Sequence, residues 1–446
     1  MDLLRDKIKP IYLKLLYTSI GSALITSIFA IVDAMMVGNY HGPDGTASLA
    51  VFNPVWSFVY SLAIISSIGG SVLYAKLKGE ENREKANEYF TITIIFGIFL
   101  SIIAFLIIVL FEEPLFRFFG ADDTLLNLAS KYLVCIKYAI PFCIFSSIFS
   151  SFLRNDNNPF LATLAVIIGG IFNGVGDYLF VFTFDMGIFG AGLATSIGLV
   201  ISTLIMMLHF FKKNNTLKLV KPTKVLKRII KITITGFPAG VTDLSLGIIS
   251  ILFNHQIMKY FGTSELAVYG IITQITAFVQ CCAYGTGQAA QPIMSQNYGS
   301  KNYLRIKECL KYGIITSIIV GIFWTIITIL IPNGFVHLFM DPTEEVLKIA
   351  PRIIRTYSIS YLLLVINIFI TYYLQAIMKP NGSLILSILR GVVISGIIII
   401  ILPIIFDNYS IWFTMLITEI IVLIISLIIV KNTTNKLKTS FIEWGF

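Results

Sequence analysis

The chain has 446 residues, of which 56% are hydrophobic and 13% are charged. Soluble proteins usually carry about 25% charged residues, so this composition excludes soluble enzymes, nucleic-acid-binding proteins and disordered scaffolds. The net charge of +9 is therefore attributed to membrane topology and not to an acidic partner.

Apolar runs long enough to cross a bilayer, about 20 residues each, predict an all-α integral membrane protein. Twelve such runs occur, at 11–37, 49–75, 90–110, 132–153, 160–181, 188–210, 232–257, 266–294, 312–331, 353–378, 384–406 and 409–430. No cleavable signal peptide is expected, because the opening residues are charged and the first run is long enough to remain in the membrane.

Lysine and arginine are distributed unequally between the two sides of these predicted helices. With the N-terminus in the cytoplasm, 26 of the 33 basic residues lie inside and seven outside. By the positive-inside rule, both termini are then cytoplasmic. The expected location is the cytoplasmic membrane of a prokaryote.

The segment 212–231 separates the sixth predicted helix from the seventh and carries eight basic residues and no acid. We predict an N-terminal six-helix lobe at 1–211, a basic cytoplasmic linker at 212–231 and a C-terminal six-helix lobe at 232–446. The charge of the linker favours contact with the anionic inner leaflet, although a basic loop that only sets the topology would have the same composition.

The two lobes begin on the same side of the membrane, which predicts a parallel pseudo-repeat. Gly42 and Gly262 end the first helix of each lobe, and Gly79 and Gly299 begin the basic loop after the second. Each third helix leads into an amphipathic segment, 112–131 or 332–351, that we expect to lie flat at the outer surface.

Four carboxylates fall within the predicted helices: Asp33, Asp177, Asp243 and Glu419. A charge at the bilayer centre costs about 2.5–3.5 kcal/mol, so such residues usually face a bundle interior or a wet cavity. A buried hydrogen bond that fixes helix packing is the alternative role for each of them.

Two of these acids have the same predicted depth. Asp33 and Asp177 each lie four residues before the outer end of their run, which is roughly 6 Å at the helical rise. Asn173 precedes Asp177 by one helical turn, and Thr195 lies at similar depth in the next helix. We expect these side chains to gather in one cavity of the outer half.

Oxygen ligands of this kind fit two chemistries. Asp33, Asn173 and Asp177 can hold a hard cation such as Na⁺. Alternatively, two crowded carboxylates in a low dielectric take up a proton. The sequence leaves both possibilities open.

The polar groups of the C-terminal half are predicted to lie deeper. Asp243 and Glu419 are about 15–17 Å from the nearer ends of their helices, and a cavity that contains them attracts organic cations. The uncharged polar residues predicted to line this substrate cavity are Asn367, Gln274, Gln280 and Gln288.

No motif of a soluble or membrane-embedded enzyme is found. The chain has no phosphate-binding loop, nucleophile elbow or HExxH pair, and its five cysteines include no CxxC pair. We therefore expect neither an enzyme nor a cofactor other than the coupling ion, and the energy for transport is expected from an ion gradient.

Four sequence blocks resemble the multidrug and toxic compound extrusion (MATE) family, in its DinF-like or MepA-like branch. The blocks are VDAMMVG with LAVFNP (32–54), NGVGDYLFVF with GIFGAGLATSIG (173–198), GFPAG (236–240) and GQAAQPIMSQNYGSKN (287–302). The resemblance implies a two-lobed antiporter that exports organic, often cationic compounds in exchange for H⁺ or Na⁺ by alternating access.

The resemblance also implies roles for particular residues. Asp33, Asn173, Asp177 and Thr195 match the cation-coupling positions of DinF-like and archaeal members, and Tyr132, or alternatively Tyr138, matches a tyrosine of the same cluster. The NorM-like branch has carboxylates in helices seven and ten. This chain has Asn367 in helix ten, and its Asp243 lies about one turn earlier than the expected acid.

Small organic substrates and membrane lipids are the expected partners, without nucleic acid, and a monomer is expected. A flippase for lipid-linked oligosaccharides or lipids has the same architecture but usually needs a cationic cavity. Lys137, Arg352, Arg355 and Arg390 are the candidate basic residues for it, against the four acids within the helices.

Overall fold

The computed structural model describes residues 2–340 and 342–443, and in this part of the chain every regular element is a helix. Twelve of the helices are long and apolar enough to cross a membrane, which confirms the predicted all-α, twelve-helix class. In chain order they are α1 (Ile8–Gly42), α2 (Asp44–Gly79), α3 (Arg83–Leu110), α4 (Glu112–Phe118), α5 (Asp123–Asn155), α6 (Pro159–Thr183), α7 (Gly187–Phe211), α8 (Val225–Tyr260), α9 (Thr263–Gly299), α10 (Tyr303–Leu330), α11 (Pro332–Phe339), α12 (Glu344–Ala376), α13 (Pro380–Ile405) and α14 (Asn408–Thr433), of which α4 and α11 are the short ones.

The amphipathic segments after the third helix of each half are shorter than predicted. Only Glu112–Phe118 and Pro332–Phe339 form separate short helices. The last part of each predicted segment, 123–131 and 344–351, forms the first turns of a spanning helix, since α5 begins at Asp123 and α12 at Glu344. Their N-cap residues, Asp122 and Thr343, accept hydrogen bonds from the backbone and start these helices early.

Matching backbone features support the predicted repeat. The helices α2 and α9 end at Gly79 and Gly299. Two residues later, Glu81 and Lys301 both adopt a φ of 58°, and the next residues, Asn82 and Asn302, cap α3 and α10. Gly42, at the break between α1 and α2, has a φ of 66°, a conformation that glycine adopts at little cost.

The chain forms two compact units. The first is built mainly from Tyr17–Gly240, and the second combines Asp6–Leu16 with the residues from Val241 onward. The boundary therefore falls within α8 and not at the predicted linker 212–231. The reason is close packing of the start of α8 on α2, where a Cβ at Gly236 would clash with the carbonyl oxygen of Ile65.

The linker is also shorter than predicted, because α8 begins at Val225, and side chains of the first unit bind its backbone. The amide of Lys218 donates to Asn87 Oδ1 over 3.1 Å, and the amide of Val220 donates to Thr91 Oγ1 over 3.0 Å. Leu217 is buried. The segment 216–220 is thus part of the first unit and not a free tether.

A buried carboxylate, Asp156, provides the strongest attachment of the linker. It accepts hydrogen bonds from the amide and the hydroxyl of Thr216, from His209 Nε2 over 2.8 Å and from Lys78 Nζ over 2.9 Å. Burial alone raises the pKa of Asp156, but the His209 hydrogen bond, the Lys78 charge and the Thr216 hydrogen bonds outweigh burial and hold the pKa well below its usual range.

Replacing Asp156 by asparagine is expected to destabilise the protein by about 3–5 kcal/mol, because the substitution leaves Lys78 without its buried counter-charge. Since the pKa of Asp156 is lowered in the folded state, the full stabilisation is present above pH ~4 and is lost as the pH falls below that value. Thermal unfolding of both proteins at neutral pH measures the effect.

Asp123→Asn provides the matched control, since Asp123 forms an exposed ion pair with Arg117 and such pairs contribute about 1 kcal/mol or less. Equal melting temperatures for Asp156→Asn and the wild type would contradict the assigned role of Asp156.

Candidate functional site

One hydrogen-bonded cluster in the first unit unites the five residues predicted to couple a cation. Tyr132 donates to Asp33 Oδ2 over 2.8 Å, and Thr195 donates to Asp33 Oδ1 over 3.5 Å. The amide nitrogen of Asn173 donates to Thr195 Oγ1 over 3.0 Å and to Asp177 Oδ1 over 3.4 Å. The two carboxylates are therefore joined through Thr195 and Asn173.

Neither carboxylate of this cluster is neutralised by a basic side chain. Asp177 is 0% exposed and Asp33 is buried. Among the residues whose side chains the structure describes, no Lys, Arg or His forms an ion pair with either one. Asp177 Oδ2 has no hydrogen-bond partner in the described chain. A buried charge without a partner is strongly unfavourable, so the cluster is suited to bind a positive charge.

Small residues bring the helices of the cluster close together. A Cβ at Gly192 of α7 would clash with the carbonyl oxygen of Tyr132, so α7 packs directly on the backbone of α5. Gly176 faces Ala194 in the same way, at 3.0 Å. A larger residue at Gly192 would separate Tyr132 from the helix that carries Thr195.

The helix α6 changes its winding at the site. The α-helical part ends at Asp177, and Tyr178–Thr183 continue as a π-helix. Such wide turns are rare and frequently occur at functional sites. The change in winding places Asp177 where the regular backbone hydrogen bonding ends.

The structure distinguishes the two tyrosines that the sequence offered. Tyr132 reaches Asp33, and its ring packs edge-on against Phe52 with centroids 4.8 Å apart. Tyr138 is 64% exposed and forms no hydrogen bond with the described residues of the cluster. Tyr132 is therefore the tyrosine that belongs to this site.

The donor set of the cluster fits both chemistries proposed from the sequence. Carboxylate, amide and hydroxyl oxygens from Asp33, Asp177, Asn173 and Thr195 are ligands that a hard cation such as Na⁺ accepts. The same carboxylates can instead bind a proton, which removes the cost of a buried charge.

A second buried cluster lies in the second unit and includes Arg390, which was predicted only as a candidate basic residue of a flippase cavity. Arg390 Nε donates to Glu419 Oε1 over 2.7 Å. Asn367 Nδ2 donates to Glu419 Oε2 over 2.7 Å and to the Glu419 carbonyl oxygen over 2.9 Å. Arg390 therefore neutralises Glu419. The prediction of an acidic substrate cavity assumed a free negative charge at Glu419, and this ion pair leaves none.

Of the other residues predicted to line a substrate cavity, Asp243, Gln274 and Gln280 form no hydrogen bond with the described residues of this cluster. Asp243 forms no hydrogen bond or ion pair with a described residue. Gln274 is exposed, Gln280 is buried and Gln288 is half-buried. These three glutamines extend over about 21 Å of α9, so they do not form a single set.

Comparison with known proteins gives one family. The MatE family profile matches residues 19–179 and 238–402. The multidrug export protein MepA of Staphylococcus saprophyticus is 25% identical over 423 residues, which cover 94% of this chain and 92% of the relative. MepA of Staphylococcus aureus strain MRSA252 is 25% identical over 419 residues, or 93% and 91% of the two chains.

Solved structures have the same fold over almost the whole chain. A structure described as the outward-facing conformation of a multidrug resistance MATE family transporter of the MOP superfamily has a TM-score of 0.92. A crystal structure of MATE in the straight conformation also has a TM-score of 0.92. Each is 21% identical to this chain and covers 98% of both chains.

Proposed function

This chain belongs to the MatE family, and we propose that it is a secondary active antiporter that exports organic, often cationic compounds in exchange for H⁺ or Na⁺ by alternating access. The names of its relatives, which are multidrug export proteins, support export of organic compounds. The function in this proposal is transport and not catalysis.

The observation that carries the proposed coupling is the pair of buried carboxylates without a basic partner, Asp33 and Asp177. A carboxylate in a low dielectric is stable only with a bound proton or cation. When one side of the membrane supplies the ion and the other removes it, the charge of the cluster changes once in each cycle. This change can bias a two-state transporter.

A lipid flippase remains the alternative with the same architecture, but the basic residues that it would use are engaged within their own units. Arg390 pairs with Glu419, and Lys137 lies 3.9 Å from Glu112. The Arg352 guanidinium lies 4.1 Å from the Tyr409 ring centroid, and Arg355 donates to the carbonyl oxygen of Ile329. These contacts favour export of organic compounds over an anionic lipid substrate.

We further propose that the protein lies in the cytoplasmic membrane with both termini inside. The excess of Lys and Arg on one side of the predicted helices supports this orientation. Labelling of a cysteine at Asn214 by an impermeant maleimide from the outside would contradict it.

Purified protein in liposomes tests the transport proposal. A fluorescent lipophilic cation such as ethidium is expected to move against its gradient when a pH or a Na⁺ gradient is imposed, and one of the two ions should suffice. An ionophore that collapses the driving gradient should stop the transport. Movement that is independent of both gradients would contradict antiport, and the result with each ion alone identifies the coupling ion.

A further inference from the structure

A row of exposed lysines follows the end of α7 and continues into α8. None of the six forms an ion pair with a described residue, and the segment 211–227 contains no acid. The residues are Lys212, Lys213, Lys218, Lys221, Lys224 and Lys227. This part of the first unit therefore presents a continuous positive surface.

Large apolar side chains lie between these lysines and are unusually exposed. Phe211 is 86% exposed, Leu219 70% and Leu226 73%. Alternation of lysine with exposed aromatic and aliphatic residues is typical of segments that rest in the headgroup region of a bilayer. Lysine stems lie along apolar surface while their ammonium groups reach polar headgroups.

The segment is held in place before any ligand binds. Asp156, Asn87 and Thr91 bind its backbone at 216, 218 and 220. The Arg228 guanidinium forms an ion pair with Glu88, which also accepts a hydrogen bond from Thr223. A fixed backbone lowers the entropy lost on binding, so the lysines form a surface and not a flexible tail.

The position of the segment identifies the ligand. It joins the end of one candidate spanning helix, Phe211, to the start of the next, Val225, so both of its ends are attached to helices long enough to cross the bilayer. We propose that residues 211–227, here called the linker surface, bind the headgroups of anionic phospholipids. The lysines neutralise the lipid phosphates, and Phe211, Leu219 and Leu226 insert among the headgroups.

The full-length protein in nanodiscs tests this proposal. Native mass spectrometry and thermal unfolding are compared with and without phosphatidylglycerol in phosphatidylcholine. For the triple variant Lys218→Gln, Lys221→Gln, Lys224→Gln, the affinity for phosphatidylglycerol is expected to fall on the order of 100-fold, since each surface lysine contributes about fivefold. Added salt should weaken the binding of the wild type.

The matched control replaces three exposed lysines that the charge distribution places on the outer side, Lys131, Lys259 and Lys348, by glutamine. It should bind phosphatidylglycerol like the wild type. Equal losses in the two triple variants, or no effect of phosphatidylglycerol on the wild type, would overturn the proposal. If the linker triple variant is less stable in phosphatidylcholine alone, Lys221→Glu provides the same comparison with one exposed change.

Discussion

Asp33→Asn and Asp177→Asn are each expected to reduce gradient-driven export to the level of protein-free liposomes while the protein remains folded. The amide has the size of the carboxylate and keeps its hydrogen-bonding capacity, but it cannot ionise or hold a cation by charge. Because neither carboxylate has a basic partner among the described residues, the substitution removes a buried charge and leaves no cation unpaired. The melting temperature should therefore not fall.

Export and melting temperature, measured on the same purified variants, distinguish coupling from a packing role. If the carboxylates only hold helices together, the variants should melt earlier and transport normally per folded molecule. Asp243→Asn is the control for removal of a carboxylate elsewhere in the chain. Normal export by both cluster variants would exclude the site and direct attention to Asp243.

Tyr132→Phe separates the role of the hydroxyl from that of the carboxylates. The variant loses the donor that lies 2.8 Å from Asp33 but keeps both acids. Export should be weakened and not abolished, and its dependence on ion concentration should shift, because Asp33 loses a hydrogen bond to its charged form.

The depth of the coupling cluster could be predicted from the sequence because helical rise is constant. Asp33 and Asp177 each lie four residues before the outer end of their predicted apolar run, and the structure joins them through Thr195 and Asn173. Depth alone does not determine which face a side chain occupies. The choice between Tyr132 and Tyr138 therefore required the packing of α5.

The attachment of the linker could not be predicted in the same way. The composition of the linker predicted a basic loop. Its anchors, Asn87, Thr91 and Asp156, lie 60–131 residues away in sequence from the linker residues that they bind. They bind backbone groups that every residue carries. No side-chain pattern in 212–224 indicates such a contact, so only the tertiary structure shows it.

The pairing of Arg390 with Glu419 was within reach of the sequence but was missed. Arg390 lies ten residues from the predicted inner end of α13, and Glu419 lies eleven residues from the predicted outer end of α14. These counts place each residue about 15–17 Å into the membrane from opposite sides, and so both near the midplane. Arg390 was considered only as a candidate basic residue of a flippase cavity, and its depth was not compared with that of Glu419. The two residues lie 29 positions apart in sequence, and the ion pair neutralises both charges.

Arg390→Met is expected to destabilise the protein by about 3–5 kcal/mol, because Glu419 is completely buried and would lose its counter-charge. Glu419→Gln leaves Arg390 unpaired and should be similarly destabilising. The double variant should recover most of the loss, since a pair of neutral side chains avoids the desolvation cost and the introduced glutamine can still accept a hydrogen bond from Asn367. A double-mutant cycle of melting temperatures gives the coupling energy.

A single variant as stable as the wild type would contradict the buried ion pair. A stable double variant that exports normally would assign the pair to folding alone, whereas a stable double variant without export would assign it to the transport cycle.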